Sequence, residues 1–231
     1  MEKADEILKK LNKLSSPKNL EGMARFGIRP KRALGISIPQ LRKLAKETGK
    51  NHKLALKLWK TGIHEARLLA GLIDEVGLVT SKQMDNWIKD FDSWDICDLV
   101  LSNLFDKTPY AHKKAIEWTK RKPEYEKRAG YALMACLAIH DKSASDAKFI
   151  KFFPAIKQGS SDERNYVKKA VNWAIRQIGK RNKKLNKEAI KLSQEIRKTD
   201  TKAARWITAD ALRELTGEAV QKRLSIVRST K

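Results

Sequence analysis

The sequence predicts an all-α fold, a right-handed solenoid of short helical repeats with a concave basic face. Three observations predict it. Gly (11) and Pro (6) are scarce in a chain of 231 residues, and apolar residues recur at steps of three and four almost from end to end. In addition, three downstream segments share a basic-Ala start followed by an aromatic: Arg128-Ala129-Gly130-Tyr131-Ala132, Lys169-Ala170-Val171-Asn172-Trp173 and Lys202-Ala203-Ala204-Arg205-Trp206. Their starts lie 41 (128 to 169) and 33 (169 to 202) residues apart, close to the ~40-residue period of two-helix HEAT or armadillo units. Such units bury one face against their neighbours and line a wall with their inner helices, where a recurring basic position would build a positive stripe.

Taken in order, the breakers Ser15-Ser16-Pro17, Gly49-Lys50-Asn51, Thr61-Gly62, Glu75-Val76-Gly77, Thr108-Pro109, Lys122-Pro123 and Gln158-Gly159-Ser160-Ser161 divide the chain into helical segments. Between them run apolar stripes such as Leu54, Leu58 and Trp59, then Ala66, Leu69, Ala70 and Ile73. Thr80, Ser93 and Thr108 are expected helix caps, the last with Pro109 at the first helical position. The pattern predicts about a dozen helices of roughly ten to eighteen residues. No Ser/Gly-rich tether interrupts them, so residues 1–231 are expected to form one domain of this repeat type.

Lys and Arg number 50 against 27 Asp and Glu, a formal net charge of +23. A field of that sign concentrates phosphates, so a polyanion is the expected partner. No run of about 18 apolar residues occurs and the N-terminus lacks the apolar core of a signal peptide, which predicts a cytoplasmic, nucleoid-associated protein with no membrane contact. Cys97 and Cys136 fall in apolar-periodic segments and are expected to be buried thiols. The histidines at 52, 64, 112 and 140 form no metal-ligand spacing, so no metal and no cofactor are expected.

In this basic chain the run Asp92-Ser93-Trp94-Asp95-Ile96-Cys97-Asp98 gathers three carboxylates around a tryptophan. On a helix beginning near Ser93, Trp94 and Asp98 are four residues apart and share a face. Asp95 points about 100° away and is expected to form a salt bridge, while Asp92 is expected to cap the helix. Asp98 then either faces a bound backbone or bridges to Arg128 or another cation for structure. Trp173 sits at the edge of the stripe Val167, Ala170, Ala174 and Ile178, flanked by Lys169 and Arg176. It is either core or an aromatic platform between phosphate contacts. Arg128 fits a solvated charge, a structural partner or a phosphate fork.

Several of these stretches are similar to one family. Met23-Ala24-Arg25-Phe26, the segment from Leu34 to Lys46, Trp94-Asp95 with Asp98, the segment Lys127 to Leu133 and the segment Lys168 to Gln177 resemble, in order, the AlkD-type DNA alkylation repair glycosylases. The similarity runs over roughly residues 20 to 180. It implies a HEAT-like solenoid, acting as a monomer on duplex DNA that contains alkylated purines, and excision of cationic N3- and N7-alkylated bases. Asp98, Trp94, Trp173 and Arg128 match the family's catalytic set; Lys169 and Arg176, flanking Trp173, and with them Lys168 and Phe26, are the expected DNA contacts. The resemblance further implies that the backbone is gripped and the modified base left towards solvent, without a base pocket. Where active relatives can carry tyrosine, this chain has Phe26, so a hydroxyl contact from that position is absent.

Overall fold

A computed structural model describes residues 3–226. Every regular element among them is a helix. The chain divides into two compact units, residues 1–108 and 109–231.

The first unit contains α1 (Lys3–Lys13), α2 (Pro17–Arg25), α3 (Ile38–Thr48), α4 (His52–Lys60), α5 (His64–Ile73), α6 (Ser81–Trp87) and α7 (Trp94–Asn103), with short 3-10 turns at Val76–Leu78, Ile88–Asp90 and Phe105–Lys107. The breakers act as expected. Pro17 opens α2, Gly49 ends α3 with φ 73°, and the Thr61-Gly62 turn separates α4 from α5. The stripe residues Leu54, Leu58, Trp59, Ala66, Leu69, Ala70 and Ile73 are all buried, because the paired helices α4 and α5 turn those faces together. Trp59 stacks on Trp87 at 3.8 Å between ring centroids, and its indole N–H donates to Asp90 Oδ2 at 2.8 Å.

The second unit contains α8 (Ala111–Trp118), α9 (Glu124–His140), α10 (Asp146–Ile150), α11 (Phe153–Gly159), α12 (Asn165–Gly179), α13 (Lys183–Arg197), α14 (Lys202–Thr216) and α15 (Glu218–Ile226). Here α12 packs on both α9 and α14, while α8 pairs with α9 and α13 with α14. The helices that carry the recurring signature are therefore neighbours in successive repeats.

Many of the acids join one repeat to the next. Glu124 Oε1 accepts from the Tyr166 N–H at the start of α12, and Glu163 Oε1 accepts from the Ala203 N–H at the start of α14, each at 3.0 Å. A helix start leaves backbone donors without an intrahelical partner, and a carboxylate there is favoured by the helix dipole as well. Asp162 is gripped by Arg164 at 2.6 Å and Lys127 at 2.9 Å. These hydrogen bonds, Arg164 foremost, outweigh the burial that opposes ionisation and hold its carboxyl well below the usual range.

Several expectations change. Thr80 does cap α6, accepting from the Gln83 N–H at 3.1 Å. Thr108 caps no helix: α8 begins at Ala111, and the Thr108 hydroxyl donates back to Phe105 O at 2.8 Å, ending the preceding turn. The recurring basic residues are not equivalent either. Arg128 and Lys169 are both fifth residues of their helices, but Lys202 is the first of α14, one turn earlier. Moreover, Arg128 is buried whereas Lys169 and Lys202 are exposed, so the recurrence marks repeat spacing and not an even positive stripe.

Candidate nucleic-acid interface

In the first unit α7 starts at Trp94, with Ser93 in extended conformation at the cap position. Ser93 uses its hydroxyl to donate to Asp95 Oδ1 at 2.6 Å, not to accept from the helix. The other oxygen of Asp95 lies 2.9 Å from His64 Nε2. Asp95 is thus the ion-pair partner its spacing predicted. Asp92 differs: it precedes the Ser93 cap, and its Oδ1 is buried with no hydrogen-bond partner among the described residues. Its negative charge acts on the imidazole instead.

Burial by itself lowers the basicity of His64, but the hydrogen bond and charge of Asp95, with the charges of Glu65 and Asp92, win and raise its pKa. Burial likewise opposes ionisation of Asp95, and His64 with Ser93 overcomes it, so the Asp95 pKa is lowered. Each partner therefore favours the other's charged form, imidazolium beside carboxylate.

Trp94 and Asp98, one turn apart, are both half-buried and open on one cleft. This cleft has a volume of about 710 Å³, and its walls include Met23, Phe26, Ile36, Leu68 and His64. The indole N–H of Trp94 donates to the Phe26 carbonyl at 2.9 Å. That bond fixes the end of α2 against α7.

The residues between α2 and α3 form the cleft's other wall, and Glu65 holds them. Its side chain is fully buried and accepts from the backbone N–H groups of Leu34, Gly35 and Ile36 at 2.8, 2.7 and 3.3 Å. Backbone His64 N–H adds a bond to Arg32 O at 2.8 Å. Neither His64 nor Glu65 was singled out from sequence; an adjacent His-Glu pair opening an apolar helix is the only local trace of this role.

The remaining expected site residues lie in the second unit. Arg128, 5% exposed, donates from Nη1 to Tyr166 O at 2.9 Å. Trp173 is half-buried at the edge of the α12 stripe, and with the Gln177 amide oxygen turned towards it the indole N–H donates across 3.2 Å. Lys168 Nζ lies 5.7 Å from the centre of the Trp206 ring, and Lys169 is exposed. Arg176 is taken up by acids: Nη1 meets Asp210 Oδ2 at 2.9 Å and Nε meets Glu214. Burial opposes ionisation of both acids, but Asn172 with Arg176 at Asp210, and Lys180 with Arg176 at Glu214, hold their pKa values down. The structure thus brings Trp94, Asp98 and Phe26 into one cleft, and places Arg128, Lys168, Lys169, Trp173 and Arg176 in the other unit.

Among the described residues no group of His, Cys, Asp and Glu side chains is arranged to hold a metal ion, and Cys97 and Cys136 are buried and form no disulfide. Among the described residues no helix is long and apolar enough to cross a membrane.

Comparison with solved structures finds a protein of a family described as related to the HEAT-like repeat DNA glycosylases, with affinity for branched DNA structures. It is 18% identical, covers 91% of this chain and 95% of its own, and superposes with a TM-score of 0.74. This likeness shows a shared fold, an α-solenoid of HEAT-like repeats. A designed armadillo repeat protein aligns over 76% of this chain and 92% of its own at 14% identity and a TM-score of 0.34. Comparison with curated proteins finds no match. The family model described as DNA alkylation repair enzyme matches residues 7–215, and the chain therefore belongs to the DNA alkylation repair enzyme family.

Proposed function

We propose that this protein is a DNA glycosylase that releases cationic N3- and N7-alkylated purines from duplex DNA, working as a monomer and gripping the backbone. The observation that carries this reading is the pairing of Trp94 and Asp98, one turn apart on the wall of a single cleft, in a chain of this family.

The chemistry needs little from the protein. An alkylated purine already carries positive charge, so when its N-glycosidic bond breaks the bonding pair leaves with the base, which departs neutral and needs no general acid. Positive charge develops on the deoxyribose as an oxocarbenium ion. A fixed carboxylate beside that sugar, here Asp98, stabilises the developing charge and orients the water that adds to the anomeric carbon. The water's proton passes to solvent or to the carboxylate, leaving an abasic site. Trp94 presents its ring face to the cationic sugar. In this reading Lys168, Lys169 and Trp173 grip the DNA strand, Arg128 supports them from within through its bond to Tyr166 O, and lability of the lesion supplies most of the selectivity.

The test is base release from methylated duplex DNA. Asp98→Asn is expected to lower release at least a hundredfold, the scale of one lost electrostatic group, about 2.7 kcal/mol or more, while DNA binding survives. Release by this variant at the parental rate overturns the mechanism. A second reading, binding without chemistry, is favoured by the described affinity of the similar solved protein for branched DNA; parent protein that binds duplexes yet frees no base would establish it.

A further inference from the structure

We infer that Phe26 is a rigid stacking platform for an unpaired nucleotide of the bound DNA, with the nucleotide's phosphate held at the cleft rim. The inference rests on the DNA-binding part of the function proposed above and deepens it.

Phe26 is 72% exposed, the most exposed of the large hydrophobic residues among those described. A lone exposed apolar side chain is ordinary on a protein surface. This one is held in place with unusual care. It is the C-cap of α2, and the bonds around it satisfy a glycine-terminated helix end: Gly27, at φ 74°, donates to Ala24 O at 3.1 Å, and Ile28 donates to Met23 O at 3.0 Å. The third restraint is the bond from the Trp94 indole to the Phe26 carbonyl at 2.9 Å. A phenyl ring is thus presented to solvent by a backbone fixed on both sides, directly beside the candidate catalytic turn.

The surroundings select the occupant. Inside, the cleft is walled by apolar Met23, Ile36 and Leu68, with the Asp98 carboxylate and with Asp95, whose charge is met by His64 at 2.9 Å. That interior repels phosphate and accepts a sugar or a base face. Lys18 and Arg25 also border it; both are exposed and neither has a carboxylate partner among the described residues, in contrast to Arg164, Arg176 and Lys180 in the second unit. Glu21 is the one acid at the same rim. Cations outside, an apolar and anionic interior, and an aromatic face at the lip match a nucleotide whose phosphate stays at the edge while its base stacks on the ring. A base paired within a duplex has no free face, so the platform favours a nucleotide that has lost its partner.

Base stacking on an aromatic side chain contributes about 1 to 3 kcal/mol, or roughly five- to 150-fold in affinity. The experiment compares binding of the full chain, by fluorescence anisotropy at fixed salt, to an unmodified duplex and to the same duplex carrying one bulged nucleotide. The parent is expected to prefer the bulge, and Phe26→Ala to lower the ratio of bulge to duplex affinity at least fivefold. Phe26→Trp is expected to keep it. With 2-aminopurine as the bulged base, the parent quenches its fluorescence and Phe26→Ala does not. Equal binding of both DNAs by the parent, or a preference that survives in Phe26→Ala, overturns the inference and leaves the glycosylase proposal standing. Failure of the parent to bind either DNA overturns both.

Discussion

Replacing Glu65 tests whether the cleft's far wall is held as described. The carboxylate is fully buried and receives three backbone N–H groups from Leu34, Gly35 and Ile36. In Glu65→Ala those donors lose their acceptor. Two of the bonds are short, at 2.8 and 2.7 Å, and Gly35 and Ile36 are buried away from water. Each stranded buried donor costs about 1 to 3 kcal/mol. Leu34 is only half-buried, so water can reach it, and the Ile36 bond is long at 3.3 Å; together these bring the expected loss to about 3 kcal/mol. Glu65→Gln keeps one oxygen but turns an amide N–H₂ towards a donor, for a loss of about 1 to 2 kcal/mol. Urea unfolding followed by tryptophan fluorescence reads both, since Trp59, Trp87 and Trp94 all lie in the first unit. An alanine variant within about 0.5 kcal/mol of the parent, the usual size of a surface substitution, or a glutamine variant weaker than alanine, refutes this account of the wall.

Two further outcomes follow from the packing. Because the His64 pKa is raised in the folded state, the His64–Asp95 pair contributes its full stability below the ordinary histidine value of about 6.5 and loses it as pH rises through the folded value; thermal denaturation across that range should show a falling slope that His64→Gln flattens, and an unchanged slope would refute it. A Cβ added at Gly159 would collide with the hydroxyl end of Tyr131, which donates to Ala155 O at 3.1 Å. Gly159→Ala should therefore cost about 1 to 3 kcal/mol, and Tyr131→Phe in the same chain should recover part of it; a double variant no more stable than the single one would assign the damage elsewhere.

What could be read from the sequence and what could not divide along the range of the forces involved. Helices, their breaks and their buried stripes come from local periodicity, so Leu54, Leu58 and Ile73 could be placed in the core and Trp94 placed above Asp98 without coordinates. Even the pairing of Asp95 was legible as a type of contact, although its partner was not. The partners depend on which helix stacks beside which. His64 meets Asp95 across 31 positions, the Glu65 bonds reach back across 29 to 31, and Trp94 reaches Phe26 across 68. Arg176 is a cation with the right neighbours in sequence, yet Asp210, 34 positions away, and Glu214 claim it. The 3.6-residue turn of the helix is a property of the backbone and is written in the order of residues. Which carboxylate a buried cation or a bare helix end finds is decided by desolvation and helix stacking, and those exist only once distant segments have been brought together.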